Sequence, residues 1–290
     1  MILSIITLVK NLKISKRKLS FLKMMISIKN NINNFDSLKI EHNIIDACSI
    51  DNTELLIQKF KDKYQINYDL NYFFDKDFGI FDGLNNAVFN YSKGKYLMFI
   101  NSDDEINKKN LRIFLQNSSL NKDIYFFSTL LIGTNIKILF KPRINTDKFI
   151  FENVFNHQST IIKKEIYESL PFNTIYNYTI FPWNFELIRR IKLKKNQKYS
   201  YEILTNNILC KYSIFGHSNS KKTIEDKRLF YNKEQKKKFK VPYKKFIEIS
   251  NFKFNNSKKS NFKKIIFYIK NFRYLLNYSN KIKHIINKLN

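Results

Sequence analysis

The sequence predicts an α/β fold with a mainly parallel sheet, and three observations carry that expectation. Short apolar runs alternate with helix-length segments through the first half of the chain, the pattern of strands that return to one sheet by way of crossover helices. The run Tyr96–Ile100 (YLMFI) is apolar throughout, as a strand covered on both faces is. It leads directly into Asn101-Ser102-Asp103-Asp104, and in open α/β sheets ligands bind beyond the carboxyl ends of the strands.

The elements follow in order. The apolar opening predicts a buried strand over Leu3–Val9, then a helix over Lys16–Ile28 and a strand over His42–Asp46. A helix over Asn52–Tyr64 comes next, with Ser49 or Asp51 placed to cap its first turn. Strand Asn67–Phe74, helix Ile80–Tyr91 between two glycine-containing turns, and strand Tyr96–Ile100 complete the alternation. The paired acids admit a plain reading as a solvated turn, with Asn101 or Ser102 helping to cap a helix that begins near Asn107. They equally suit a site, because carboxylate oxygens there can hold Mg²⁺ or Mn²⁺ against a phosphate.

From Asp123 the pattern becomes β-rich, with IYFFSTLLIG and IKILFK joined at Thr134-Asn135 as a hairpin. A mixed stretch to Lys164, a helix over Pro182–Lys194 and a strand over Lys198–Leu204 follow. The domain is expected to span residues 1–218, with a basic, mainly helical extension over 219–290. In that extension Phe262, Ile265, Ile266, Ile269, Phe272 and Leu276 recur at three- and four-residue spacing between Lys and Arg. Such a helix suits either an anionic membrane surface or the apolar face of its own domain.

Apolar content of 43% and charged content of 26% over 290 residues are those of a globular protein with a sizeable core. Only 5 Gly and 4 Pro are present, so turns must lean on Asn, Asp and Ser. Cys48 and Cys210 lie too far apart in sequence to suggest a disulfide framework or zinc knuckle, which predicts reduced thiols and a cytoplasmic protein. The net charge of +28 invites nucleic acid or an anionic membrane as partner. Lys, Asn, Ile, Phe and Tyr all have AT-rich codons, however, so biased composition accounts for much of it. No nucleic-acid recognition motif accompanies the charge, and none of the expected partners is a nucleic acid. The acids are concentrated in the first two thirds, and none follows Glu248.

The segment Asp75–Glu105, DKDFGIFDGLNNAVFNYSKGKYLMFINSDDE, resembles the family 2 glycosyltransferases of the bacterial polysaccharide branch, including those of capsule and colanic acid synthesis, which read roughly DxGIYDAMNKGIxxAxGxYxxFLNSDD. Asp77, Gly79, Ile80, Phe81, Asp82, Gly83, Leu84, Asn85 and Asn86 follow that order, and Asn101 to Asp104 close it. The tripeptide Asp77-Phe78-Gly79 lacks the other kinase motifs. The resemblance implies a GT-A-like fold and transfer of a sugar from a nucleotide-sugar donor to a polysaccharide or lipid-linked acceptor, inverting and dependent on Mg²⁺ or Mn²⁺.

It also implies a set of site residues. Asp103 stands at the metal-binding position with Asp104 in support, and Leu8, Lys10, Asp46, Ser49, Asp82 and Asn85 fall on the nucleotide-sugar side. Lys10 replaces the more usual aromatic, and Ala47 replaces a second acid after Asp46. FNHQSTIIKKEIYESLPFN is similar to the branch's HQSxFFKKExYExxGxFD and places His157 and Gln158 on the acceptor side. WNFELIRRI is similar to DYDLFLRL, whose leading Asp is the general base; here that position is Asn184, which cannot accept a proton at neutral pH. Glu186 is the nearest acid, but two residues along a helix is a rotation of about 200°.

Overall fold

The computed structural model describes residues 2–32, 40–108, 110–117, 120–133, 137–144, 153–176, 179–192, 199–213, 225–226 and 229–230. The hairpin turn at Thr134-Asn135, the boundary at 218–219 and the basic tail over 252–290 lie outside these residues.

The first half is a run of strand–helix units: β1 (Leu3–Val9), α1 (Lys18–Ile32), β2 (Ile40–Asp46), α2 (Thr53–Tyr64), β3 (Asp69–Phe74), α3 (Ile80–Asn86) and β4 (Tyr96–Phe99). The second half adds β5 (Glu105–Ile106), α4 (Asn110–Asn117), β6 (Ile124–Ile132), β7 (Lys137–Phe140), β8 (Thr160–Lys163), α5 (Lys164–Ser169), α6 (Phe181–Lys192) and β9 (Tyr201–Ser213). They form one sheet in the order β3-β2-β1-β4-β8-β6-β9-β5, with β7 paired to β6. Strands β3, β2, β1 and β4 run parallel; β8 enters antiparallel between β4 and β6. The sheet is therefore mixed: crossover helices make the parallel half, and among the later strands β8, β7 and β5 pair antiparallel while β6 and β9 run parallel.

Neighbouring side chains on the central strands point to opposite faces, as the period of two requires. Ile5, Ile44, Met98, Tyr125 and Phe127 join Phe21, Met24 and Phe60 in one buried layer under α1, α2 and α4. Ile6, Ile45, Phe99 and Phe126 join Leu84, Tyr167, Phe172 and Trp183 in the other, under α3, α5 and α6. Both faces are thus covered, which is why these strands read as unbroken apolar runs.

At the amino ends of β1 and β2 the buried Glu41 carboxylate accepts from Ser4 Oγ and from Lys93 N, and Ser4 Oγ accepts from Gly94 N at 2.8 Å. A Cβ on residue 94 would fall 2.4 Å from Ser4 N, so only glycine lets the turn before β4 lie against β1.

The helix predicted over Ile80–Tyr91 is α only to Asn86; Ala87–Tyr91 is a π-helical turn. The wider turn sets the Tyr91 ring on Phe73 with centroids 4.1 Å apart, and exposes its carbonyl to Asn43 Nδ2. Among the described residues no helix is long and apolar enough to cross a membrane.

Candidate functional site

The carboxyl ends of β1, β2, β3 and β4 lie side by side on one edge of the sheet. Asp46 closes β2 and is fully buried. Its Oδ1 accepts from Ser49 N at 2.8 Å and its Oδ2 from Tyr72 Oη at 2.8 Å. With a partner on each oxygen the carboxylate is fixed in one orientation, and a cavity lined by Asp46, Ser49, Thr53, Tyr72 and Phe74 opens beside it.

The loops after β1 and β2 are bound to each other, which corrects the capping expectation. Ser49 Oγ accepts from Asn11 N at 2.6 Å, and Asp51 Oδ2 accepts from Lys13 N at 2.7 Å and Ile14 N at 2.9 Å. Asn52 takes the N-cap position of α2 in a left-handed conformation, without a capping side-chain bond. Asp51 answers the orphan amides of the neighbouring loop instead of those of the helix, a competition open to any short polar side chain.

The third strand runs into Asp75 and Asp77, and Asp82 lies in the first turn of α3. Asp75 accepts from Tyr91 Oη at 3.0 Å, and Asp82 Oδ2 accepts from Phe78 N at 3.0 Å. Burial raises the Asp77 carboxyl, opposed by the charge of Lys10 from the end of β1. Gly83 leaves room for that carboxylate: a Cβ there would lie 2.8 Å from Asp77 Oδ2 and 3.2 Å from Leu8 Cδ2. Asn85 faces inward: its Oδ1 accepts from Tyr167 Oη and Phe172 N, and its Nδ2 donates to Phe172 O. The structure thus gathers Leu8, Lys10, Asp46 and Asp82 at one edge, while the Asn85 amide joins α3 to the segment after α5.

Asp103 and Asp104 follow β4. Asp104 is 1% exposed, its Oδ1 accepts from Ser213 N at 2.9 Å, and its Oδ2 has no protein partner. Burial, and then the neighbouring charge of Asp103, push the Asp104 carboxyl well above the usual carboxylate range. A buried acid with one unbonded oxygen beside a second, half-buried acid suits a hard divalent cation held by one or two carboxylates, with water and substrate phosphate completing the shell. Among the described residues no group of three or more His, Cys, Asp or Glu could hold a metal ion by itself.

On the other side of β4, a short 3₁₀ turn over His157–Ser159 precedes β8. Burial lowers the His157 imidazole to about 3, so it is neutral. Gln158 is 1% exposed with both amide atoms unpartnered.

Asn184, at the start of α6, is 2% exposed; its Nδ2 donates to Asn153 Oδ1 at 3.0 Å and more weakly to Phe155 O at 3.5 Å, leaving its Oδ1 unpartnered. Glu186 is bound by Arg189 at 2.6 and 2.7 Å and by Arg190 at 3.1 Å. Burial acts to raise its carboxyl, and the hydrogen bonds from Arg189 and Arg190 outweigh this, leaving it below the usual range.

The surroundings of Asn184 are complementary to an amide. In Asn184→Asp an oxygen would replace the donor that faces Asn153 Oδ1 and the Phe155 carbonyl. We expect the substitution to destabilise the fold by about 2–3 kcal/mol, as an unmatched buried acceptor does, and not to raise transfer more than a few-fold. Urea unfolding and a transfer assay on the same preparation check both; a stable variant with a large gain in rate would contradict the prediction.

Tyr72, Tyr91, Asp75 and Asp77 join the site without a role assigned to them by the sequence motifs. Asp77 lies within the matched motif and Asp75 just before it, so a signal existed for the acids. The two tyrosines sit in segments that read as apolar strand and helix, and nothing local marks them.

Comparison with known proteins adds the rest. The family model described as Glycosyl transferase family 2 matches residues 20–195. No curated protein matches the sequence. The solved structure of residues 1–349 of S. aureus TarS with UDP is similar at a TM-score of 0.57 and 14% identity, covering 100% of this chain and 83% of that one. The TarS structure with UDP-GlcNAc gives a TM-score of 0.57 at 14% identity over 89% and 74% of the two chains. At such identity the likeness is one of fold: the GT-A-like arrangement of a mixed central sheet flanked by helices. Since the family match spans more than half of the 290 residues, the chain belongs to glycosyl transferase family 2.

Proposed function

We propose that this glycosyltransferase moves a sugar from a nucleoside diphosphate donor to a hydroxyl of a polysaccharide or lipid-linked acceptor of the bacterial envelope, with inversion. The observation that carries this reading is the pairing of the half-bonded, buried Asp104 with Asp103 on the same sheet edge as the fixed carboxylate of Asp46. Asp46 and Ser49 face the base and ribose, Leu8 and Lys10 flank the nucleotide, and Asp82 borders the cleft from α3, which the inward-facing Asn85 amide braces from behind. Asp103 holds Mg²⁺ or Mn²⁺ with support from Asp104. Such an ion neutralises the charge that builds on a departing diphosphate. His157 and Gln158 line the opposite wall, and the basic region over 252–290 rests on the anionic cytoplasmic face of the membrane, where a lipid-linked acceptor is found.

One observation favours a second reading, a relative that binds donor and turns over slowly. Asn184 cannot act as a base, and Glu186 is committed to two arginines. Lack of a general base costs on the order of 10²- to 10⁴-fold in rate without removing donor binding.

A thermal-shift screen of nucleotide sugars with and without Mn²⁺ tests the proposal, with UDP-GlcNAc, the ligand in the TarS structure, included. A donor at 100 times its Kd stabilises the native state by about 2.7 kcal/mol, a rise in Tm of roughly 5–10 °C. We expect that rise with one nucleotide class and only with Mn²⁺; no shift with any nucleotide would refute the reading.

A further inference from the structure

Gln158 is the least explained side chain near the site. Its backbone is held on both sides: Gln158 N donates to Asn156 Oδ1 at 2.9 Å, Ser159 N donates to Asn156 O at 3.0 Å, and Ser159 Oγ accepts from Thr129 Oγ1 at 2.7 Å. The amide carried by this rigid turn is buried, yet neither its oxygen nor its nitrogen has a protein partner. Buried polar atoms in native proteins are nearly always bonded, and an orphaned pair lowers stability.

The position of the turn suggests what completes it. Strands β4 and β8 pair antiparallel at Tyr96↔Lys163 and Leu97↔Ile162, so the turn that precedes β8 lies toward the carboxyl end of β4, the end that leads to Asp103. The turn packs against β4, β6 and β9. The segment just before it, through Asn153 and Phe155, accepts the Nδ2 of Asn184, whose own Oδ1 is a second buried, unpartnered amide oxygen. One carboxamide with open hydrogen-bonding positions therefore sits at the carboxyl-end edge of β4, and a second lies against the segment that leads into its turn.

We propose that Gln158, together with the free oxygen of Asn184, forms a carboxamide subsite that binds hydroxyls of the transferred sugar and determines which sugar is accepted. The proposal rests on the reading of the chain as a nucleotide-sugar transferase. A hydroxyl both donates and accepts, and an amide offers one acceptor oxygen and two N–H donors, so a single glutamine can bond two adjacent ring hydroxyls. A site built to bond a hydroxyl discriminates strongly against an analogue that leaves its polar atoms unpaired. The hydrogen bonds of the turn hold the Gln158 backbone in place before any ligand arrives, which limits the freedom its amide has to lose on binding.

Gln158→Met, nearly equal in volume and apolar, separates this role from a structural one, with Gln158→Leu as a second variant should the first not fold. Three quantities are measured on the full chain with Mn²⁺: Tm without ligand, Kd for the nucleotide sugar that binds best in the screen above, and Kd for its nucleoside diphosphate. The subsite predicts that Tm rises by a few degrees, that the nucleoside diphosphate binds within twofold of wild type, and that the ratio of sugar-nucleotide to nucleoside diphosphate Kd rises by about tenfold or more. A lower Tm with that ratio unchanged makes Gln158 a structural residue and overturns the proposal. Failure of wild type to bind any nucleotide would instead sink the transferase reading on which it rests.

Discussion

Replacing Asp103 with Asn is expected to lower sugar transfer by about three orders of magnitude and to abolish the Mn²⁺-dependent part of donor binding, while the fold stays as stable as wild type. A charged ligand position is worth several kcal/mol in transferring a glycosyl group from a diphosphate, and each 1.36 kcal/mol is tenfold in rate. Stability is spared because Asp103 is only half-buried, and an amide of the same shape fits where the carboxylate was.

Asp104 provides the contrast. It is buried, raised by desolvation and by its neighbour, and bonded through Oδ1 to Ser213 N. Asp104→Asn keeps an acceptor for that amide and replaces a buried acid with a neutral group of the same shape, so transfer should fall while the unliganded protein becomes no less stable. The two variants are read by Mn²⁺ titration, transfer rate and urea unfolding. If Asp103→Asn keeps the rate and metal response of wild type, the acids are a turn and the site lies elsewhere.

Much of this geometry follows from side-chain types that a linear reading can recognise. The strand Leu3–Val9 agrees with the structure at both ends, and the acids after β2, β3 and β4 stand out because apolar runs end in them. Other features depend on distant pairings. β8 is only Thr160–Lys163 and passes directly into α5, with no Gly, Pro or Asn to mark the join. The sequence predicts that the strand ends at Leu204, before Asn206-Asn207, but β9 continues to Ser213 because a bulge opposite Phe127 and Ser128 absorbs the polar residues.

The hydroxyl of Tyr72 meets Asp46 only because β2 and β3 pair at Ile44↔Tyr72 and Asp46↔Phe74. Tyr91 reaches Asp75 only because a π turn reorients it. The motif identifies the acids, whereas their orientation is set by residues that carry no motif.

Stability is expected to fall steeply with acidification between about pH 6.5 and pH 3, and His42 is a principal cause. This residue is fully buried on β2 in the layer beneath α1 and α2; its Nε2 shares a 3.0 Å hydrogen bond with Thr7 Oγ1, and its Nδ1 has no protein partner. Burial lowers its pKa from 6.5 to about 3, since an imidazolium there would lose its hydration with no counter-charge to replace it. Within that window the unfolded chain binds a proton that the folded chain refuses. The contribution of His42 is therefore complete above pH 6.5 and declines as pH falls, by about 1.4 kcal/mol per pH unit, up to roughly 4–5 kcal/mol near pH 3.

His157, which burial also lowers to about 3, acts in the same direction. Asp104 acts in the opposite one: its raised carboxyl favours the folded state most at low pH, and that contribution is lost as pH rises through its folded pKa. In His42→Gln, which keeps a polar partner for Thr7, the slope of unfolding free energy between pH 6 and pH 4 should flatten by about 1.4 kcal/mol per unit. Urea unfolding of both proteins at pH 7.5, 6, 5 and 4 measures it. Parallel profiles would mean that the folded protein protonates His42 as readily as the unfolded chain does, and that its environment is wetter than the packing of this layer implies.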